Sequence, residues 1–282
     1  MQIIKSVEEM QQWVREKKQQ GNKIGLVPTM GFLHEGHLSL VRQAKKDCDT
    51  VIVSVFVNPI QFGAGEDYDE YPRDLTRDAA LLEKEQADVV FAPAVKEMYP
   101  AGYNTFVEVF GEATQKMCGA SRPGHFRGVT TVVAKLFNIC QPELAYFGQK
   151  DAQQVTIVEK MVRELNFPLK IVRVPIVREK DGLAMSSRNV YLDSTQRQEA
   201  VVLSKSLKMA EDQIKQGERD IKKVKNLMQE MISECPQAKV DYIEIANAYD
   251  LSDLEEIQGQ VLIALAVKIG NTRLIDNMLV EV

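Results

Sequence analysis

The chain has 282 residues, of which 45% are hydrophobic and 27% charged, as in a globular protein with one large or two moderate domains. Its net charge of -5 argues against a protein that coats nucleic acid, and no apolar stretch approaches the roughly 20 residues of a membrane span. The N-terminus lacks the apolar core of a secretory signal, and the four cysteines show no CxxC spacing. We therefore expect a soluble, cytoplasmic protein with reduced thiols and with no nucleic-acid or membrane partner.

Strand-like and helix-like segments alternate through the first part of the chain. Ser6 to Glu9 has the pattern of a capping box, and the helix that follows should bury Met10, Trp13 and Val14. Later strands are predicted at 23–27, 51–57, 88–92, 144–147 and 169–174, and later helices at 38–45, 74–86, 128–139 and 153–164. Pro28 is expected to break the first of these strands. The alternation predicts an α/β fold with a mainly parallel sheet and helices on both faces.

The remainder of the chain has a different pattern. Amphipathic helices are predicted at 195–217 and 218–234, followed by strands at 240–245, 261–268 and 274–282. Helices followed by strands indicate a smaller α+β domain. With the boundary placed near Val177, the expected domains are 1–176 and 177–282.

The most informative motif is His34-Glu35-Gly36-His37, at a predicted strand-to-helix turn. Imidazoles at the positive end of a helix can donate hydrogen bonds to phosphoryl oxygens or exchange protons, which favours chemistry on a nucleotide phosphate. A single histidine, however, is more often an ordinary surface or core residue than a catalytic one. A metal-binding pair is a second alternative, weakened because no cysteine or third histidine lies nearby in sequence.

Two other segments offer cationic groups. Lys150, just before a predicted helix, can place a positive charge against phosphoryl oxygens. Asp151 and Gln154 could contact a ligand or cap that helix. In the loop Gly182–Asn189, two serines and an arginine suit a triphosphate or form a polar turn.

Two neutral amides, Asn58 and Gln61, lie beside aromatic residues and could hold hydroxyl and carboxylate groups. His125 lies in a basic loop that could recognise a carboxylate or merely cover the surface. Ligands of parallel sheets bind beyond the carboxyl ends of the strands. We therefore expect three segments to converge on one crevice: the turn that carries His34 and His37 (the histidine turn), 58–62 and 148–151.

The early His-x-Gly-His and the late Met-Ser-Ser-Arg resemble the two ATP-binding signatures of the nucleotidylyl-transferase superfamily. Further blocks resemble the pantoate–β-alanine ligase (pantothenate synthetase) family, in family order and over essentially the whole chain. These blocks are 27–31, 56–62, 122–126, 146–151 and 181–189.

The resemblance implies an ATP-dependent ligase, usually homodimeric, with a Rossmann-like N-terminal domain and a smaller C-terminal lid. Such enzymes join (R)-pantoate to β-alanine through a pantoyl adenylate, releasing pyrophosphate and AMP. ATP would be a substrate accompanied by Mg²⁺, for which we predict no protein metal site because ATP and water can supply the ligands.

The resemblance also implies roles for individual residues. ATP-binding residues would be Met30, Gly31, Phe32, Leu33, His34, Glu35, Gly36, His37, Gly148, Gln149, Lys150, Asp151, Val177, Met185, Ser186, Ser187 and Arg188. Catalytic residues would be His34, His37 (the proton donor), Lys150, Ser186, Ser187 and Arg188, and substrate-binding residues Pro28, Met30, Asn58, Gln61, His125 and Gln154. Two positions depart from the family pattern: Gln149 replaces a more frequent acidic residue, and Phe32 is bulkier than usual.

Three alternative functions fit parts of the sequence. A nucleotidylyl transferase acting on a phosphorylated precursor would need cations for a second phosphate in place of the amides around Gln61. An aminoacyl-tRNA-synthetase-like enzyme is disfavoured by the acidic charge and the lack of an anticodon-sized extension. A nucleotide-binding regulator would bind ATP without turning over any acid.

Overall fold

The computed structural model describes all residues from Met1 to Val282. The strands are β1 Gln2–Ile4, β2 Ile24–Thr29, β3 Thr50–Val55, β4 Val89–Phe91, β5 Leu144–Gly148, β6 Lys170–Val174, β7 Ala238–Asn247, β8 Gln260–Ile269 and β9 Thr272–Glu281. The α-helices are α1 Val7–Gln19, α2 Glu35–Asp47, α3 Leu75–Lys84, α4 Val95–Met98, α5 Cys118–Ser121, α6 His125–Cys140, α7 Ala152–Glu164, α8 Ser194–Glu199, α9 Val202–Lys215 and α10 Ile221–Ser233. No helix has the length and apolarity needed to cross a membrane.

The chain divides into two compact units. The first unit comprises 1–109, 123–148 and 157–175, and the second comprises 110–122, 149–156 and 176–282. The expected functional domains, 1–176 and 177–282, stay a prediction.

The first unit is built on a six-stranded sheet in the order β1-β4-β3-β2-β5-β6, in which every pairing is parallel. This confirms the predicted parallel α/β fold. The chain moves outward from β2 through β3 to β4, and then returns to the other side of β2 with β5 and β6. The order therefore reverses between β2 and β5, and ligands of such sheets bind outside the carboxyl ends of strands at this point.

The expectation that Pro28 breaks the strand is wrong. β2 continues to Thr29, and Pro28 is paired with Ser54 of β3. Backbone groups of β2 alternate in direction: the Thr29 carbonyl accepts from Phe56 on the β3 side, whereas the Ile24 carbonyl accepts from Glu143 on the β5 side. Pro28 therefore faces the β5 side, where pairing has ended at Leu26, so its missing N–H costs no ladder hydrogen bond.

The second unit contains the antiparallel sheet β7-β8-β9, with α9 and α10 among the elements packed against it. This confirms the predicted smaller α+β domain. The predicted helix over 195–217 is wrong in one respect, because a tight turn at Ala200–Val201 divides it into α8 and α9. The helix predicted over 218–234 begins at Ile221, so Glu218 lies before it. The Glu218 carboxylate accepts from the Asp220 N–H, and the Asp220 side chain caps α10.

Candidate active site

Two imidazoles cap the N-terminus of α2. His34 Nδ1 accepts a hydrogen bond from the Gly36 N–H at 3.2 Å, and His37 Nδ1 accepts from the His34 N–H at 3.3 Å. The ring centroids are 4.0 Å apart. The reciprocal arrangement is a capping box in which imidazole nitrogens take the place of hydroxyl and carboxylate oxygens.

The capping bonds determine where each ring carries its proton. A backbone N–H can only donate, so the Nδ1 atom of both rings must be unprotonated, and the neutral ring carries hydrogen on Nε2. Each imidazole can therefore present an Nε2–H donor beside the positive end of the α2 dipole. This is a suitable arrangement for binding a phosphate oxygen.

The turn between β2 and α2 is held by a buried carboxylate of α3. Gly31 and Phe32 both have positive φ, +82° and +49°. Asp78, with a fully buried side chain, accepts from the Phe32 N–H through one oxygen and from the Leu33 N–H through the other, both at 2.7 Å. Burial raises the pKa of the Asp78 carboxyl above its ordinary value, while the two N–H donors act in the opposite direction.

Phe32, which is bulkier than the family pattern leads us to expect, forms part of the same turn. The Arg77 guanidinium lies 4.9 Å from the Phe32 ring centroid and donates to the Leu33 carbonyl at 2.9 Å. The arginine therefore combines a cation–π contact with a backbone hydrogen bond. The larger side chain provides a surface for Arg77 and does not disrupt the turn.

Gln61 is oriented by an amide network after β3. Its Oε1 accepts from Asn58 Nδ2 at 3.0 Å, and its Nε2 lies 3.2 Å from Met30 Sδ. Asn58, 1% exposed, also donates to the Gly128 carbonyl at 3.1 Å and accepts from the Tyr99 hydroxyl at 2.7 Å. These contacts give Asn58 the role of orienting Gln61.

The start of α6 fixes the backbone of Gln61. His125 is buried, and its Nδ1 lies 2.8 Å from the Gln61 carbonyl, which can only accept, so this nitrogen carries a hydrogen. A Cβ at Gly128 would lie 2.3 Å from the Ile60 carbonyl oxygen and 2.6 Å from Gln61 Cα. Glycine therefore permits the close approach of α6, which begins at His125 and not at the predicted Gly128.

In the second unit, Lys150 lies in a 3-10 turn, Gln149–Asp151, that leads into α7. Its side chain is 20% exposed, and Nζ lies 3.9 Å from Asp151 Oδ1. The buried amide of Asn277 donates to the carbonyls of Gln149 and Lys150. Gln154 is partly exposed, whereas its neighbour Gln153 is buried and bonded to the backbone of 113–118.

The loop Gly182–Asn189, here called the serine loop, contains a capped 3-10 turn. Ser186 Oγ accepts from the Arg188 N–H at 3.3 Å and caps the 3-10 helix Ser187–Tyr191, as in the polar-turn alternative. Ser187 is 6% exposed. The Met185 N–H donates to the Val177 carbonyl at 3.0 Å, so these two predicted nucleotide-binding residues form one backbone contact.

Within each unit the structure brings the predicted residues together in part. In the first unit, Met30 lies between the histidine turn and Gln61, whose amide contacts its sulfur. Gly148 is the last residue of β5, and β2, β3 and β5 are adjacent and parallel, so 30–37, 58–61 and 148 follow the same edge of the sheet. In the second unit, the Lys150 carbonyl accepts from Asn277, and the Gly182 carbonyl, in the loop that contains Ser186, accepts from Arg178, which pairs with the adjacent Asp276.

Sequence reasoning missed Asp78, Tyr99, Asp276 and Asn277. A signal for Asp78 was its position four residues before Leu82 on the buried face of α3. A signal for Asp276 and Asn277 was a polar pair flanked on both sides by apolar residues, 274–275 and 278–280. Groups of three or more His, Cys, Asp or Glu side chains arranged to hold a metal are absent.

The imidazole-capped helix that follows β2 and the Ser186–Arg188 loop carry the two motifs on which the resemblance to nucleotidylyl transferases rests. The pantoate-β-alanine ligase family matches residues 2–279, and the chain belongs to this family. Pantothenate synthetases of Syntrophomonas wolfei subsp. wolfei and Heliobacterium modesticaldum are 67% and 57% identical to it over 282 residues, which is 100% of each chain.

Solved structures of the same family also resemble this chain. Pantothenate synthetase from Thermus thermophilus has a TM-score of 0.94 and 45% identity, with 99% of both chains covered. Pantoate-β-alanine ligase from Francisella tularensis, complexed with β-γ ATP and β-alanine, has a TM-score of 0.83 and 36% identity, with 99% of this chain and 97% of its own covered. The family resemblance stated from the sequence motifs is thereby confirmed.

Asp78→Asn should destabilise the histidine turn. One carboxylate oxygen becomes an NH₂ group that faces a backbone N–H, so a buried donor loses its acceptor at a cost of about 1–3 kcal/mol in the free energy of unfolding. Urea denaturation measures the change. Asp74→Asn on the same helix is the matched control, because asparagine is an equally good N-cap. Equal stability of the Asp78→Asn and Asp74→Asn variants would contradict this role.

Proposed function

We propose that this chain catalyses the ATP-dependent condensation of (R)-pantoate with β-alanine to give pantothenate, AMP and pyrophosphate. Membership of the pantoate-β-alanine ligase family over residues 2–279 is the observation that carries the proposal. The Francisella tularensis relative, complexed with β-γ ATP and β-alanine, supports the same substrates.

The reaction has two steps. A pantoate carboxylate oxygen attacks the α-phosphorus of ATP, the bond from that phosphorus to the bridging oxygen breaks, and pyrophosphate leaves with the electron pair. The free amine of β-alanine then attacks the acyl carbon of pantoyl adenylate and releases a proton to the solvent, while the bond from that carbon to the phosphate oxygen breaks and AMP leaves with the electron pair. Adenylation is required because a carboxylate by itself is a poor acyl donor.

The helix cap suggests how the first step is assisted. His34 and His37 would donate Nε2–H hydrogen bonds to phosphate oxygens. For His37, whose Nδ1 accepts from the His34 N–H, the proton-donor role would be that of a hydrogen-bond donor to the leaving pyrophosphate. Lys150 would stabilise the negative charge that develops on the leaving pyrophosphate, where a preorganised cation is most effective. Ser186, Ser187 and Arg188 would bind further phosphate oxygens, and Asp151 would face the ribose.

The amide network suggests how the acid is held. Gln61 and Gln154 would bind pantoate, with Gln61 also close to β-alanine. Asn58 and His125 would act through Gln61, because their polar atoms already contact Gln61 or its neighbours. Mg²⁺ would arrive with ATP, since this ion usually keeps phosphate and water ligands and needs no dedicated protein cage.

We further propose a homodimer, with residues 177–282 acting as a lid that keeps water from the adenylate. Phe106 and Phe110, exposed by 45% and 76%, lie in the segment 103–110, which forms no strand or helix, and support a protein interface there. Small-angle scattering tests both ideas: a monomeric mass opposes the dimer, and an unchanged profile with pantoyl adenylate opposes closure. The family's biosynthetic activity and four free thiols support a cytoplasmic location, testable by cell fractionation.

Exchange of pyrophosphate into ATP, with pantoate present and β-alanine absent, tests the adenylation step. Lys150→Ala should lower this exchange by about 10²–10³-fold, the usual loss when one charge-stabilising group is removed. Circular dichroism checks that the variant is folded. Near-normal exchange by a folded variant would refute the proposed role of Lys150.

Gln61→Ala should raise the KM for pantoate by about 10-fold, as expected for the loss of a neutral hydrogen bond to a buried ligand. The Kd for ATP should stay close to the wild-type value. Steady-state kinetics and ATP titration calorimetry separate the two quantities. An equal weakening of pantoate and ATP binding would oppose the assignment of Gln61 to pantoate.

A further inference from the structure

Two adjacent polar residues lie buried in strand β9 and have no role in the function proposed so far. Asp276 is 2% exposed and Asn277 is 3% exposed. A carboxylate and an amide destabilise a protein interior unless they are well partnered. The partners of these side chains therefore indicate what the pair is there to hold.

Asn277 holds the backbone that carries Lys150. Its single Nδ2 donates to two consecutive carbonyls, those of Gln149 at 3.0 Å and Lys150 at 2.9 Å. Its Oδ1 accepts from Gln149 Nε2 at 3.2 Å. Both amide hydrogens and the amide oxygen are thus bonded to the turn Gln149–Asp151.

The same contact accounts for Gln149, which occupies a position where the family pattern more often has an acidic residue. The glutamine amide supplies a donor to Asn277 Oδ1. A carboxylate in the observed side-chain position would place acceptor against acceptor. Gln149 and Asn277 therefore form a matched amide pair.

Asp276 holds the segment that leads to the serine loop. Its two oxygens accept from Arg178 Nη1 at 2.6 Å and Nη2 at 2.9 Å, and Arg178 Nη1 also donates to the Gly182 carbonyl at 3.0 Å. Arg178 forms an isolated antiparallel bridge with Ala184, directly before 185–188. The Asn277 N–H donates to Asp276 Oδ1 at 2.8 Å and links the two sets of contacts.

We propose that Asp276 and Asn277 are positioning residues that hold the Lys150 turn and the Ser186–Arg188 loop in fixed register for adenylation. This inference rests on the proposed function. The Lys150 turn is bonded directly to Asn277, and the segment before Ser186 is linked to Asp276 through Arg178, so both segments are tied to neighbouring positions of a strand that is paired with β8 along its whole length. Such anchoring matters because a displacement of about 1 Å can lower a rate about 10²-fold.

The variant Asn277→Asp tests this role with almost no change of volume. It replaces Nδ2 by an oxygen that faces the two carbonyls and should displace Lys150. We expect the kcat of pantoate-dependent exchange to fall about 10–100-fold, while the KM for pantoate changes less than about twofold. Asp241→Asn is the control, because it likewise exchanges an amide and a carboxylate in this sheet, at a side chain that pairs with Arg273 and is bonded to neither segment.

A double-mutant cycle separates positioning from general stability. If Asn277 acts through Lys150, Asn277→Asp should have little further effect on exchange in a Lys150→Ala background. In a Gln61→Ala background its full effect should remain, because the proposed function assigns Gln61 to pantoate and not to the support of Lys150. Multiplicative losses in both backgrounds would overturn the inference and leave only a structural role.

Two other results would also overturn it. Wild-type exchange by Asn277→Asp, at an unchanged thermal midpoint, would refute positioning while leaving the proposed function intact. No exchange by the wild-type chain with pantoate would refute both. If Asn277→Asp does not fold, Asp276→Asn serves in the same cycle with Ser187→Ala, where a non-additive loss is expected and an additive loss contradicts the inference.

Discussion

The two backbone N–H groups that donate to imidazole nitrogens at the start of α2 impose the constraint on which the rest of this structure depends. A helix N-terminus leaves several N–H groups without partners, and most helices satisfy them with the oxygen of a serine, threonine or aspartate. Here His34 and His37 do so, and each ring becomes fixed with Nδ1 as acceptor. The cap therefore does two things: it completes the helix, and it leaves the hydrogen of each neutral ring on the nitrogen farther from the backbone.

Within each unit, further residues hold the segments to which the proposed function assigns a role. In the first unit, Asp78 holds the turn that delivers His34, and Gly128 lets α6 approach closely enough to fix Gln61. In the second unit, Asn277 holds the Lys150 turn from a strand of the antiparallel sheet. Each of these three segments, to which the proposed function assigns a role, is thus held by a residue of a helix or strand. This is the arrangement that electrostatic catalysis requires, because donors must be in place before charge develops.

The sequence was informative where the signal was local. The continuous β-branched run of β3, the strand-to-helix turn at the histidines and the alternation of elements were sufficient to predict the parallel sheet. The three-residue strand β1 was missed because it is too short to show periodicity, and Pro28 was misread because a strand with one unpaired side tolerates proline. The division of α8 from α9 has no breaker residue to mark it. Asp78, Asp276 and Asn277 could not be assigned, because their partners are distant in sequence and become neighbours only in the fold.

The most direct test of the account is the protonation pattern of its three histidines, observed by proton–nitrogen correlation spectroscopy on histidine-labelled protein at neutral pH. The account predicts that His34 and His37 carry hydrogen on Nε2 with Nδ1 unprotonated. His125, whose Nδ1 faces the Gln61 carbonyl, should show the opposite pattern and serves as an internal reference. Addition of ATP should shift the Nε2–H signals of His34 and His37. Hydrogen on Nδ1 of either capping ring, or Nε2–H signals unmoved by ATP, would contradict the claim that the helix cap prepares these imidazoles to bind phosphate.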